Sequence, residues 1–133
     1  MARCANRAGM TDTPDRRQTV YKIAEAEAWR DAETAGAFAG APIDLADGFI
    51  HFSTAGQLRE TAARHFAGRE GLVLAAVDGA RLDTLFGADW RYEPSRGGAL
   101  FPHLYADLPM EAVLWARPLP LGPDGAHVFP EGL

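Results

Sequence analysis

Residues 72–78 read LVLAAVD, an apolar run of six closed by an aspartate. The run is too short for a free-standing helix and too apolar for an exposed strand, so it predicts a buried central strand that Asp78-Gly79 brings to an end. Upstream, Thr19–Ile23 (TVYKI) alternates and is rich in β-branched and aromatic residues, a second strand. Residues 24–35 follow with Ala24, Ala28, Trp29 and Ala32 on one helical face. Gly36, Gly40 and Pro42 then predict a loop running to Asp47-Gly48. Residues 49–52 read as a short strand. Thr54, with Gln57 three positions on, has the form of a capping box for a helix carried by Leu58, Ala62 and Phe66 and stopped at Gly68. Downstream, residues 81–86 suggest one helical turn, 90–93 a strand stopped by Pro94, and 112–116 a last strand. Phe101–Tyr105 (FPHLY) reads as an irregular or edge segment, because proline donates nothing to a ladder. Two early helices followed by strands on short, turn-rich connections predict a single α+β domain with a curved, mainly antiparallel sheet. No Gly-rich phosphate loop supports a doubly wound parallel fold.

A chain of 133 residues has room for one domain. Its 47% hydrophobic and 23% charged residues are those of an ordinary globular protein. Twelve arginines and the single Lys22 stand against 18 acidic residues, for a formal charge of -5. Residues 1–17 lack bulky apolar periodicity and read as a flexible tail, with Met10 an alternative start. Residues 18–133 then form the domain, whose nine basic and sixteen acidic side chains give about -7. That charge argues against nucleic acid as a partner, since phosphate contacts leave a basic footprint. A lone Cys4 cannot form an internal disulfide, and no apolar run is long enough for a membrane span or a secretory signal, so a cytoplasmic setting without membrane attachment is expected.

Among residues able to carry chemistry, His51 lies in a strand just after the Asp47-Gly48 turn. Ser53 sits two residues on, and Thr54 at the following helix start. Together they would gather imidazole, hydroxyl and helix N-terminal amides suited to a ribose hydroxyl or a phosphate. His103 and Tyr105 share one side of FPHLY if it is extended. Glu93 ends WRYEP before a Gly-Gly loop, where a carboxylate can act as a base or steady positive charge. Arg91 and Arg96 flank it as paired donors for a small phosphate. The plainer alternatives are a half-buried structural His51, an aromatic edge sealing the core, and a surface Glu93 paired to those arginines. No spacing marks a metal site, and no GxSxG elbow marks a serine hydrolase. A hydrolytic metal held by His51, His103 and Glu93 is the least favoured reading.

The segments YKIAEAEAW, DGFIHFSTAGQ, LVLAAVD, WRYEPSRGGALFPHLY and MEAVLWARPL stand in the order of a small bacterial family, domain-of-unknown-function family 952, which the chain resembles from residue 20 to about 119. DGFIHFSTAGQ and LFPHLYADLP are the most specific pieces. The resemblance implies a fold similar to the ADP-ribosyltransferases, a split antiparallel sheet enclosing a cleft for NAD. By position it implies that His51 holds a ribose with Ser53 assisting. It also implies an aromatic from Tyr105 or Tyr92 and an acid from Glu93 or Glu111. His103 has no counterpart in the general pattern and points to family-specific chemistry. The expected function is therefore an enzyme acting on NAD, as substrate, or on an ADP-ribosylated or phosphorylated nucleoside. The alternative is a non-catalytic module that binds a small ligand or peptide in the same cleft.

Overall fold

The computed structural model describes residues 14–95 and 98–133. Strand β1 (Thr19–Glu25) leads into helix α1 (Ala26–Ala35), the two-residue strand β2 (Ala37–Phe38) and helix α2 (Pro42–Asp47). Short strands β3 (Ile50–His51) and β4 (Ser53–Thr54) precede helix α3 (Ala55–His65). Then come β5 (Leu72–Asp78), α4 (Gly79–Phe86), β6 (Trp90–Ser95), β7 (Ala99–Leu104), β8 (Leu108–Pro109) and β9 (Val113–Leu119). All described pairings are antiparallel. One sheet has the order β4-β1-β5-β9 and a second the order β3-β7-β6, while β2 and β8 form a small third ladder. The domain is thus a mixed α and β structure with separate antiparallel sheets.

The central strand is β5, paired along its whole length with β1 and from Leu72 to Val77 with β9. Its run is continuously apolar because both faces are covered. Leu74 and Ala76 join Tyr21, Ile23, Leu58 and Ala62 under α3. Ala75 and Val77 join Val20, Trp29, Leu82 and Trp90 on the opposite face, the side of α1, α4 and the second sheet. Helix α3 starts where the capping box places it, the Thr54 N–H donating to Gln57 Oε1 at 3.0 Å.

Three local expectations are corrected. The segment expected to be a loop from Gly36 to Gly48 contains α2, because Pro42 occupies the first helical turn, where its missing N–H costs nothing. FPHLY is not an edge: β7 lies between β3 and β6. Pro102 is tolerated there because β3 ends at His51, and beyond it only the Pro102 carbonyl is needed, accepting the Phe52 N–H at 2.9 Å. A strand residue's N–H and C=O point to the same side, so the missing donor faces Phe52 and leaves the β6–β7 ladder intact. The tail expected through residue 17 also ends earlier. Arg16 donates to Asp83 at 3.0 Å and to the carbonyls of Gly87 and Trp90, while the Trp90 indole donates to the Arg16 carbonyl at 2.9 Å. Residues 1–13 lie outside the described chain.

This docking leaves no room at the start of α4. A Cβ on Gly79 would stand 2.0 Å from the Gln18 carbonyl oxygen, a backbone atom that cannot swing aside. Gly79→Ala is therefore expected to destabilise the fold by about 1–3 kcal/mol or more, read as a lower urea midpoint. Gly56→Ala, in α3 with open space around the new methyl, is expected to be neutral or slightly stabilising. Equal losses from the two substitutions would contradict the packing described.

Candidate functional site

The site is built from two histidine–carboxylate pairs. The first centres on Asp44, in the first turn of α2, whose side chain is 1% exposed. One oxygen accepts from the His51 backbone N–H at 3.1 Å and lies 2.6 Å from His51 Nδ1. The other accepts from the Ala41 N–H at 2.7 Å and meets Lys22 Nζ at 2.9 Å. Lys22 also donates to the His51 carbonyl at 2.9 Å. Burial raises the proton affinity of Asp44, but the His51 bond and the Lys22 charge outweigh it and bring the carboxyl down to about 2. Burial lowers the proton affinity of the Lys22 ammonium, with Asp44 opposing. His51 Nε2 in turn lies 2.9 Å from Asp47, so both ring nitrogens face carboxylates.

The second pair is His103 with Glu93, Nδ1 to Oε1 at 2.8 Å. The Tyr105 hydroxyl donates to the same oxygen at 2.8 Å. Desolvation pushes Glu93 up, but the bonds from His103 and Tyr105 more than offset it, and the carboxyl ends below its ordinary value. Burial holds His103 below the usual histidine range against the pull of Glu93. At neutral pH the ring is then neutral, its Nδ1–H given to Glu93. That leaves Nε2 as a bare acceptor, and this atom is buried with no partner among the described residues. The Tyr105 phenol is raised, first by its bond to Glu93.

Phe49 joins the two pairs. Its ring lies 4.7 Å from that of His51, 4.2 Å from that of His103 and 5.1 Å from that of Tyr105, and the two imidazoles are 5.3 Å apart. Beside Phe49 and Tyr105 opens a cavity of about 260 Å³ between α2 and the end of β7. Arg91 stacks over the outer aromatic at 4.1 Å from the Tyr105 centroid and lies 3.9 Å from Glu93.

His51, Glu93, His103, Tyr105 and Arg91 are thus brought together. Ser53 and Thr54 are not. The chain changes sheets at Phe52, so the Ser53 hydroxyl turns away and is used by Thr61 at 2.8 Å, and Gln57 occupies the Thr54 amide. The Ser53 hydroxyl and the Thr54 amide expected to be open there are both taken. Of the residues left open, Tyr92 bonds Gln18 at 3.2 Å on the far side, and Glu111 pairs with Arg81 on the surface. Arg96 lies outside the described residues. Sequence reasoning missed Lys22, Asp44 and Phe49. The available signal was the single lysine of the chain, standing in the middle of an apolar strand. Among the described residues no group of three or more His, Cys, Asp or Glu side chains is placed to hold a metal ion, and no helix is long and apolar enough to cross a membrane.

These features define a small α+β domain with a histidine–carboxylate site at the meeting of two antiparallel sheets. Residues 23–116 match the family model described as Protein of unknown function (DUF952), and the chain belongs to that family. It is similar to protein CC0527 from Caulobacter crescentus. The crystal structure of that protein is 44% identical over 84% of this chain and 94% of that one, with a TM-score of 0.77. Its solution NMR structure, also 44% identical, covers 81% and 90% with a TM-score of 0.71. No curated protein matches the chain.

Asp44 supplies a prediction with a definite sign. Its folded value of about 2 lies below the ordinary 3.8, so the stability it contributes is fully present above pH 4–5 and lost as the pH falls through about 2. The difference corresponds to about 2 kcal/mol. Asp44→Asn leaves Lys22 buried beside a neutral group and is expected to cost about 3–5 kcal/mol at pH 7. In urea titrations the gap between the wild type and this variant should narrow from pH 6 to pH 2.5. A gap independent of pH would contradict the assignment.

Proposed function

We propose that this protein is a small acid–base enzyme acting at the ribosyl centre of NAD or of a related ADP-ribosylated or phosphorylated nucleoside, with His103 as the base. The observation that carries the reading is the His103 imidazole. Glu93 fixes its Nδ1, Tyr105 fixes Glu93, and its Nε2 is buried and bare, with no partner among the described residues. An oriented neutral imidazole backed by a carboxylate is the arrangement general-base catalysis requires. Two antiparallel sheets separating at Phe52, with the cluster where they part, support a fold similar to the ADP-ribosyltransferases. A cytoplasmic setting, where NAD is plentiful, belongs to the same reading.

The roles follow from what each group still has free. His103 Nε2 is buried in this structure, so the side chains over it must move before it takes the proton of an attacking hydroxyl or water as the new C1′–O bond forms. The C1′–N bond breaks in the same displacement, and its electron pair stays on the departing ring nitrogen, neutralising a nicotinamide ring. Both donors to Glu93 sit on Oε1, so that oxygen orients His103 and offsets charge on it, while Oε2, with Arg91 at 3.9 Å, is the oxygen left to steady positive charge. His51 can reach a ribose hydroxyl only if Asp47, which is 42% exposed, turns aside. Arg91 is the cation placed to meet a phosphate.

A non-catalytic module is the second reading, and one observation favours it: apart from His103 Nε2, the nitrogens and carboxylates of the cluster already have partners within it. Incubation with NAD separates the two. The enzyme reading expects released nicotinamide by mass spectrometry. It also expects a loss of about 100-fold or more in His103→Asn, with the melting temperature little changed. Intact NAD together with a raised melting temperature would establish the module instead. No product and no shift with NAD or ADP-ribose would overturn both.

A further inference from the structure

The 260 Å³ cavity beside the histidine pairs has a lining whose chemistry selects its occupant. Phe49 and Tyr105 are among its lining residues, Leu45 supplies exposed apolar surface, and the buried Ile50 and Leu104 lie behind. Its charged lining residues are both acidic, Asp44 and Asp107, and no lysine, arginine or histidine lines it. The two carboxylates are not equivalent. Asp44 is neutralised from behind by Lys22 at 2.9 Å. Asp107 is exposed and has no hydrogen bond or ion pair among the described residues. The lining therefore carries one uncompensated negative charge beside two aromatic rings.

We infer that this cavity binds the cationic end of a ligand, a single flat N-alkylated ring or a small alkylammonium group. Size supports it, since at about 30 Å³ per water the space equals some nine waters, room for one substituted ring and little more. Aromatic faces attract cations through their quadrupoles, and a nearby carboxylate adds a Coulomb term that a neutral ring does not feel. An anion entering the same space meets Asp107 with no compensating cation in the walls. The nearest external charges also leave the choice in place. Arg91 lies over Tyr105, outside the lining, and is partly offset by Asp89 and Glu93, each at 3.9 Å. His51 is held between Asp44 and Asp47.

The inference rests on the proposed function only in treating this cavity as the place where the ligand sits. Its test needs no turnover. The full-length protein is titrated with 1-methylpyridinium, with neutral 3-methylpyridine at pH 8 and with benzoate, and the ring resonances of Phe49 and Tyr105 are followed by NMR. Saturable shifts with the cation in the millimolar range, weaker shifts with the neutral ring and none with benzoate are expected. Asp107→Asn should weaken the cation about fivefold and leave the neutral ring unchanged. Equal binding of cation and benzoate, or no shift of either ring by the cation, would overturn the assignment. Cation binding in a protein that leaves NAD intact and unbound would retain this inference while the ribosyl reading falls. Cleavage of NAD without cation binding would do the reverse.

Discussion

A carboxylate inside a protein costs several kcal/mol in lost hydration unless its lone pairs are occupied and a positive charge stands near. Asp44 meets both conditions. The Ala41 and His51 amides, the His51 ring and the Lys22 ammonium all converge on its two oxygens. These donors come from three parts of the fold: the entry to α2, strand β3 of the three-stranded sheet, and strand β1 at the heart of the four-stranded sheet. One buried ion pair therefore fixes α2 against both sheets at the place where they part. It also settles the direction of His51, because the backbone and the ring of that residue are held by the same oxygen. Replacing the pair by apolar residues could fill the same volume, but it would release that orientation.

The second pair uses the same principle with a more exposed carboxylate and a more buried imidazole, and reaches a different outcome. His51 has carboxylates at both nitrogens, whereas His103 has one at Nδ1 and, among the described residues, no partner at Nε2. Two imidazoles 5.3 Å apart are thus placed in unlike settings. Unequal environments around neighbouring titratable groups are how a site separates acid from base at one pH. Phe49 seals the interval between them. Its ring contacts both histidines and Tyr105, and the residue lines the adjoining cavity, so a ligand in that cavity lies one ring away from the buried nitrogen.

Much of this was legible in the sequence where short-range rules decide. The apolar run of β5 reads as central because only a strand covered on both faces tolerates it, and Thr54 with Gln57 marks the start of α3. His103 and Tyr105 share a face by simple alternation, and β6 runs beside them, so Glu93 was within reach of inference. Helix α2 was hidden because Pro42 was read as a breaker when it stands in a first turn. Ser53 was misplaced because alternation holds only within one strand, and the chain changes sheets between His51 and Ser53. The Lys22–Asp44 pair, 22 residues apart, obeys no local rule. Its trace is a charged residue where the strand pattern asks for an apolar one.

The central claim is that burial keeps His103 neutral while Glu93 fixes its tautomer, leaving a bare Nε2 in a buried site. Nitrogen-15 NMR of the imidazoles reads this directly, since protonated and bare ring nitrogens resonate far apart. At pH 7 the account predicts a protonated Nδ1 and an unprotonated Nε2 for His103, with the ring taking its second proton only below the ordinary histidine range. A His103 protonated at Nε2, or at both nitrogens at pH 7, would contradict it.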